Sequence, residues 1–118
     1  MNEAGSHQRN QPAPPPVVFD DLCDPHRKPV RPWLDLRDDE IAPTVVDSER
    51  PNYVVWSSLW PQRPDASVRF DLAADRGGTD LRWTLYVDTS LPDTTVIAHM
   101  RHRLNELINA NLRYTYGQ

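Results

Sequence analysis

Hydrophobic and polar residues alternate most clearly between residues 67 and 87. Val68, Phe70 and Leu72 lie on one face of a predicted strand, and Arg69 and Asp71 lie on the other. A glycine-containing turn follows, and the alternation then resumes with a second hydrophobic set. Two antiparallel strands with one buried and one solvated face are therefore predicted. The second set is Leu81, Trp83, Leu85 and Val87.

Two shorter runs of β-branched and aromatic residues precede these strands. Residues 44–48 and 53–60 predict strands, with a turn at Pro51-Asn52 between them. A sheet with one hydrophobic face needs an element to cover that face, and residues 92–113 have the periodicity of a helix. At 1.5 Å per residue this helix is about 33 Å long, enough to lie along the whole sheet. Its hydrophobic positions are Ile97, Met100, Leu104, Leu107, Ile108 and Leu112, opposite His102, Glu106, Asn109 and Arg113.

The sequence pattern predicts little regular structure in the first third of the chain. Residues 1–13 are polar and predict a disordered tail, because they bury too little surface to offset the entropy of ordering. Residues 14–118 then form one domain. Pro14 to Pro16 open a short helix that ends before Pro25, and residues 26–39 form an irregular connection pinned by Trp33.

Bulk composition narrows the class of protein. The 118 residues are 38% hydrophobic and 25% charged, as expected for a single globular domain. A net charge of −4 argues against nucleic-acid binding, which needs surplus positive charge. We find no apolar run of membrane-spanning length and no secretory signal, and Cys23 has no second cysteine to pair with. These features predict a cytoplasmic protein.

Three short motifs are Phe19 to Pro25, Val54-Val55-Trp56 and Gly77 to Thr84. They resemble, in that order, the "vFdaLtdP" opening, the "rlvfsW" strand and the "gGTrLtwt" strand of the START/Bet v 1 superfamily (SRPBCC), whose bacterial members are often labelled polyketide cyclase or activator of Hsp90-type proteins. The resemblance runs from about residue 15 to residue 116. It implies an α+β helix-grip fold, in which a curved antiparallel β-sheet packs on a long C-terminal α-helix.

This chain departs from the superfamily pattern near its N-terminus. The first strand of the family precedes the position of Pro14, yet residues 6–12 are poor strand material. We therefore predict a reduced N-terminal strand region and a sheet that is open at one edge. A second copy of the chain can pair with such an edge, which makes a homodimer a possible assembly.

The resemblance also implies a cavity between the sheet and the long helix. Trp and Met side chains would make that cavity apolar and adaptable, which favours a small hydrophobic ligand without a cofactor. The alternative is that the same residues simply fill the core. The predicted ligand-binding residues are Trp56, Phe70, Leu72, Leu81, Trp83, Leu85, Met100, Leu104, Leu107 and Ile108.

Catalytic chemistry has weaker support than binding. The inward positions contain no general acid or base, and isolated hydroxyls are weak nucleophiles. We therefore predict no catalytic residue, and a cyclase-like enzyme is the third hypothesis. The second hypothesis is a protein-interaction or regulatory module that acts through the open sheet edge or the basic face of the helix. The hydroxyl candidates are Tyr53, Ser57, Ser58 and Tyr114.

Two clusters of charged residues lie outside the predicted hydrophobic positions. His102, in the basic run at residues 99–103, and Glu106 have the i, i+4 spacing of neighbours on a helix. This spacing predicts a solvated ion pair and no metal site. The acidic run at residues 35–40 lacks the ligand spacing of a calcium loop, so we expect it to be a solvated connection.

Overall fold

The computed structural model describes residues 2–25, 33–88 and 94–116. Five strands and a C-terminal helix surround one hydrophobic core, with a short helix near the N-terminus. The elements are β1 (Asn2–Gln11), α1 (Pro15–Cys23), β2 (Val45–Glu49), β3 (Tyr53–Ser57), β4 (Ser67–Asp75), β5 (Gly78–Val87), α2 (Thr94–Leu104), a π-helical segment (Asn105–Leu112) and α3 (Arg113–Thr115).

The five strands form one antiparallel sheet in the order β1-β5-β4-β3-β2. Phe70 of β4 lies between Val54 of β3 and Trp83 of β5, so the hydrophobic positions of neighbouring strands are in register on one face. These three side chains are completely buried. The alternation in the sequence therefore predicted the buried faces of β4 and β5 correctly.

Strand β1 is the main difference from the expected fold. The prediction of a disordered tail over residues 1–13 and of a reduced N-terminal strand region is wrong for residues 2–11, which pair with β5 along its whole length. Most of its side chains are exposed, so hydrophobic burial gives the segment little reason to order. Backbone hydrogen bonds to β5 order it instead, and no side-chain pattern encodes such bonds.

Strand β2 is one edge of the sheet, and β1 is the other. All five residues of β2 are exposed, and Val46 is 60% exposed. A bulge between Val45 and Asp47 interrupts the pairing with β3, and Asp47 and Glu49 put negative charge on the edge. Bulges and charges of this kind discourage pairing between sheet edges.

The C-terminal helix is continuous but changes its winding. Residues 94–104 are α-helical, whereas Asn105–Leu112 is π-helical and bonds at i→i+5. This changes the angular position of the later side chains. Asn109, which we expected on the solvent face, is 94% buried as a result. The predicted start of the helix at Pro92 lies outside the described residues.

Helix α1 closes one side of the core. Val18, Phe19 and Leu22 pack inward, and the helix ends before Pro25, as predicted. Trp56 Nε1 donates a hydrogen bond of 2.9 Å to the backbone oxygen of Leu22, which attaches the helix to the sheet. Trp33 stacks on Trp56 with ring centroids 5.9 Å apart, so a buried tryptophan holds residues 33–39, the described part of the predicted connection.

Replacing Gly78 with alanine tests the position of β1. A β-carbon on Gly78 would collide with the backbone oxygen of Gln11, so we expect the free energy of unfolding to fall by about 1–3 kcal/mol in urea denaturation. Gly77→Ala is the comparison, because a β-carbon there contacts nothing and its cost of about 1–2 kcal/mol comes only from a φ of +85°. An unchanged stability of Gly78→Ala would contradict the pairing of β1 with β5.

Candidate functional site

The predicted ligand-binding residues all lie in the interior between the sheet and the C-terminal helix. All ten are buried, and they belong to one continuous hydrophobic core. Trp56 and Phe70 contact each other edge to face, with ring centroids 4.7 Å apart. The structure thus brings the predicted residues together, and their role in binding a ligand stays a prediction.

A cleft opens at one end of this interior, and we call it the end cleft. It lies between the loop after β3 and the first turns of α2, and its volume is about 200 Å³. Met100 belongs both to the end cleft and to the predicted ligand-binding set, and it is almost completely buried. The cleft is lined by Asp39, Trp60, Gln62, Arg63, Thr95, Val96, His99 and Met100.

The rim of the end cleft is polar. His99 Nε2 lies 3.2 Å from Asp39 Oδ2, and both side chains are about half exposed. Trp60 and Met100 supply buried apolar surface beside this pair. The arrangement suits a ligand with an apolar body and a polar end that remains near solvent.

A buried ion pair holds the loop that carries Asp39. Arg103 donates from Nε to Glu40 Oε2 (2.8 Å) and from Nη2 to Glu40 Oε1 (2.7 Å), so the contact is bidentate. The two side chains are 3% and 0% exposed. Arg103 also donates to the backbone oxygen of Asp35 (2.6 Å) and to Glu106, and these bonds fasten residues 35–40 to the helix.

The protonation equilibria reflect this pairing. Burial of Glu40 raises the pKa of its carboxyl, but hydrogen bonds from Arg103 and from the Arg37 backbone N–H lower it further than burial raises it, so the pKa is lowered overall. A hydrogen bond from Arg103 likewise lowers the pKa of Glu106. Hydrogen bonding to Glu40 raises the pKa of Arg103 despite its desolvation. The cluster is therefore ionised at neutral pH.

The structure corrects both predictions about charged clusters. Glu40 is buried in an ion pair, so the acidic run is not a wholly solvated connection. Glu106 pairs with Arg103 and Arg37 rather than with His102, which is exposed. The partner of Glu40 lies 63 positions away and Arg37 lies 69 positions from Glu106, so neither contact is visible in the local pattern. Arg103, the other partner of Glu106, lies three positions earlier on the same helix.

Three potential metal ligands lie near this cluster. Atoms of Asp39, Glu40 and His99 are within 4.8 Å of one another. Both carboxylate oxygens of Glu40 already accept hydrogen bonds from Arg103, whose positive charge opposes a cation at that position. We therefore assign no metal to these residues.

The hydroxyl candidates for catalysis do not converge on the interior. Tyr53 donates to Asp47 on the outer side of the sheet, and Tyr114 is 68% exposed. Ser57 accepts a hydrogen bond from the Thr44 backbone N–H, and Ser58 caps the Trp60 backbone N–H. Tyr53, Ser57 and Ser58 thus make structural hydrogen bonds, and Tyr114 lies at the surface.

The local sequence pattern did not identify the residues of the end cleft other than Met100. Asp39 and His99 are 60 positions apart, and nothing in the local pattern joins them. Leu59 and Trp60, at the end of the run before Pro61, were the best available signal, because large apolar side chains are usually buried. Even that signal does not identify the helix residues facing them.

No protein-family model matches the chain, and no curated protein matches it by sequence. Solved structures do match. An HSP90 activator from Plasmodium falciparum, PFC0360w, superimposes with a TM-score of 0.72 at 14% identity, covering 96% of this chain and 95% of that one. CalU16 from Micromonospora echinospora gives 0.60 at 21% identity, covering 88% and 73% of the two chains.

A third match is an Aha1 dimer from Colwellia psychrerythraea, with a TM-score of 0.58, 15% identity and coverage of 93% and 99%. Identities this low establish shared architecture rather than shared activity. Within the described residues, no helix is both long and apolar enough to cross a membrane. The chain shares the helix-grip α+β fold of these structures, with an antiparallel sheet packed on a C-terminal helix, as predicted.

Proposed function

We propose that this protein binds a small hydrophobic molecule between the sheet and the C-terminal helix, with the end cleft as the opening, and that it does so without catalysing a reaction. The observation that carries the proposal is the position of Met100. This side chain forms part of the end cleft and also contributes to the apolar interior. A ligand that enters the cleft therefore meets the predicted ligand-binding residues directly.

The chemistry of Met100 supports entry at this point. Methionine is unbranched and polarizable, so it changes rotamer at low cost and adapts to different apolar shapes. The aromatic surface of Trp60 lies in the same cleft. Together these residues favour a flat apolar ligand over a flexible polar one.

The volume of the end cleft sets the ligand size. Apolar cavities of about 150 Å³ hold one benzene ring. A cleft of about 200 Å³ therefore accommodates one substituted ring or two fused rings without rearrangement of the core. A larger ligand would have to displace Met100 toward the interior.

The first experiment is a native mass spectrum of freshly purified protein, followed by denaturation and extraction of any bound molecule. A stoichiometric apolar adduct supports the proposal and gives the class of ligand. A bare monomer that also fails to bind added aromatic compounds would contradict it.

A charged side chain in the end cleft should block binding. Val96 lines the cleft and is partly exposed, so Val96→Arg adds length and charge there without disturbing the core. We expect it to weaken binding of 2-naphthol by about tenfold or more in an NMR titration, because the ligand would meet a charge in place of apolar surface. Ala98→Arg, on an exposed position of the same helix, is the matched control and should bind like the parent protein. Equal affinity of the two variants would place the ligand elsewhere.

Self-association through the sheet edge has less support. The exposed Val45 and Val46 favour it, but the bulge and the acidic residues of β2 oppose pairing of two such edges. The same native mass spectrum reports the assembly. A dimer that survives dilution would favour the interaction hypothesis over a simple ligand-binding monomer.

A further inference from the structure

Three polar side chains form a hydrogen-bonded chain inside the predicted ligand-binding region. Trp83 Nε1 donates to Asn105 Oδ1 at 3.1 Å, and Asn109 Nδ2 donates to the same oxygen at 2.9 Å. Asn105 and Asn109 lie in the π-helical segment, whereas Trp83 comes from β5. These hydrogen bonds therefore join the helix to strand β5 of the sheet.

The donor and acceptor roles in this chain are determined by Trp83. An indole N–H can only donate, so the atom of Asn105 that faces it must be the carbonyl oxygen. That oxygen can receive only a donor from Asn109, which must present its NH₂ group. The carbonyl oxygen Oδ1 of Asn109 is consequently not the atom that faces Asn105. It is buried, and none of the described residues donates a hydrogen bond to it.

Gln11 repeats this situation at the same turn of the helix. Its Nε2 donates to the backbone oxygen of Ile108 at 3.0 Å, an atom that can only accept. The orientation of the amide is therefore set, and its Oε1 is buried without a donor among the described residues. Gln11 is 0% exposed. Two acceptors thus lie beside the peptide group that joins Ile108 to Asn109.

Buried acceptors without donors are rare because leaving one unpaired is costly. We propose that Asn109 Oδ1, beside the π-helical segment, is a binding position for a hydroxyl group that is not part of the chain, and that Gln11 Oε1 is a separate acceptor of the same kind. A carboxylate or ketone would not satisfy this position, because it can only accept hydrogen bonds. The hydroxyl belongs either to a bound water molecule or to a phenol or alcohol ligand. The inference does not depend on the end cleft as the site of entry.

A crystal structure of the full chain at high resolution tests the proposal and separates the two sources. We expect an oxygen within hydrogen-bond distance of Asn109 Oδ1. If crystals grown without additive show it, the donor is water; if a phenol soak replaces it with the phenol oxygen, the position also accepts a ligand hydroxyl. An acceptor site without such an oxygen, or one filled by a donor from residues 26–32, would overturn the proposal.

Solution measurements give an independent test. Phenol and toluene have nearly the same shape, so a hydroxyl-binding position should favour phenol by about five- to tenfold in an NMR titration. Asn109→Leu should reduce this preference to about one, whereas Asn111→Leu, two positions further along the same helical segment, should keep it. The Asn109 and Asn111 variants are compared only when both give the NMR spectra of folded proteins. If Asn109→Leu does not fold, Asn109→Ser, which keeps an oxygen but shortens the side chain, takes its place. If neither phenol nor toluene binds and the crystallographic oxygen is present, the position belongs to water. The binding of larger ligands at the end cleft is then tested separately.

Discussion

Replacing Arg103 with methionine should lower the free energy of unfolding by about 3–5 kcal/mol, the cost of leaving one charge of a buried pair without its partner. Glu40 would keep its buried carboxylate and lose its bidentate donor. Urea denaturation followed by tryptophan fluorescence measures the change. Arg101→Met is the control, because Arg101 is exposed on the same helix and its replacement should change stability by no more than about 0.5 kcal/mol.

The double variant Arg103→Met, Glu40→Met separates the net contribution of the pair from the cost of breaking it. Two apolar side chains of similar size remove the uncompensated charge, so most of the lost stability should return. A loss of less than about 1 kcal/mol in the single variant would show that the pair is solvated in solution.

The same pair gives a pH dependence with a definite sign. The pKa of Glu40 is lower in the folded protein than in the unfolded chain. Its contribution to stability is therefore present above the unfolded value of about 4.3 and is lost as the pH falls through the folded pKa. Thermal unfolding of Glu40→Gln should consequently depend less on pH below about 4.3 than unfolding of the parent protein does.

The second large effect concerns the filled interior. Trp56→Ala should lower the free energy of unfolding by about 3–5 kcal/mol, because it leaves a cavity among closely packed neighbours. Trp56 is almost completely buried and contacts both Trp33 and Phe70. It also donates to the Leu22 backbone oxygen, which the variant would leave without this donor. Calorimetric and urea unfolding both measure the loss.

Trp56→Phe is the matched comparison. It retains an aromatic ring but removes the indole N–H, so it should cost less than the alanine variant. A cost below about 1 kcal/mol for Trp56→Ala would show that the interior is loosely packed and already has room for a ligand. This measurement therefore reports how closely the interior is packed around Trp56, which does not line the end cleft, and close packing there is compatible with ligand entry beside Met100.

Local patterns in the sequence were sufficient for the central part of the fold. The alternation around Phe70 and Trp83 and the three-to-four spacing around Leu104 predicted the sheet, the helix and their facing surfaces. This success has a physical reason. Burial on one face of a regular element imposes a period of two or 3.6 residues, and the period is visible without any knowledge of the partner.

Only the tertiary structure decided the features that depend on distant partners. Strand β1 is polar and is ordered by the backbone of β5, and Arg103 meets Glu40 across 63 positions. The π-helical winding turned Asn109 inward against its expected position. Hydrogen bonds, ion pairs and a change of helical winding leave no period in the sequence, because each depends on where a particular partner lies after folding. The predicted core followed from local periodicity, whereas the end cleft and the polar position beside Asn109 were created by contacts between segments.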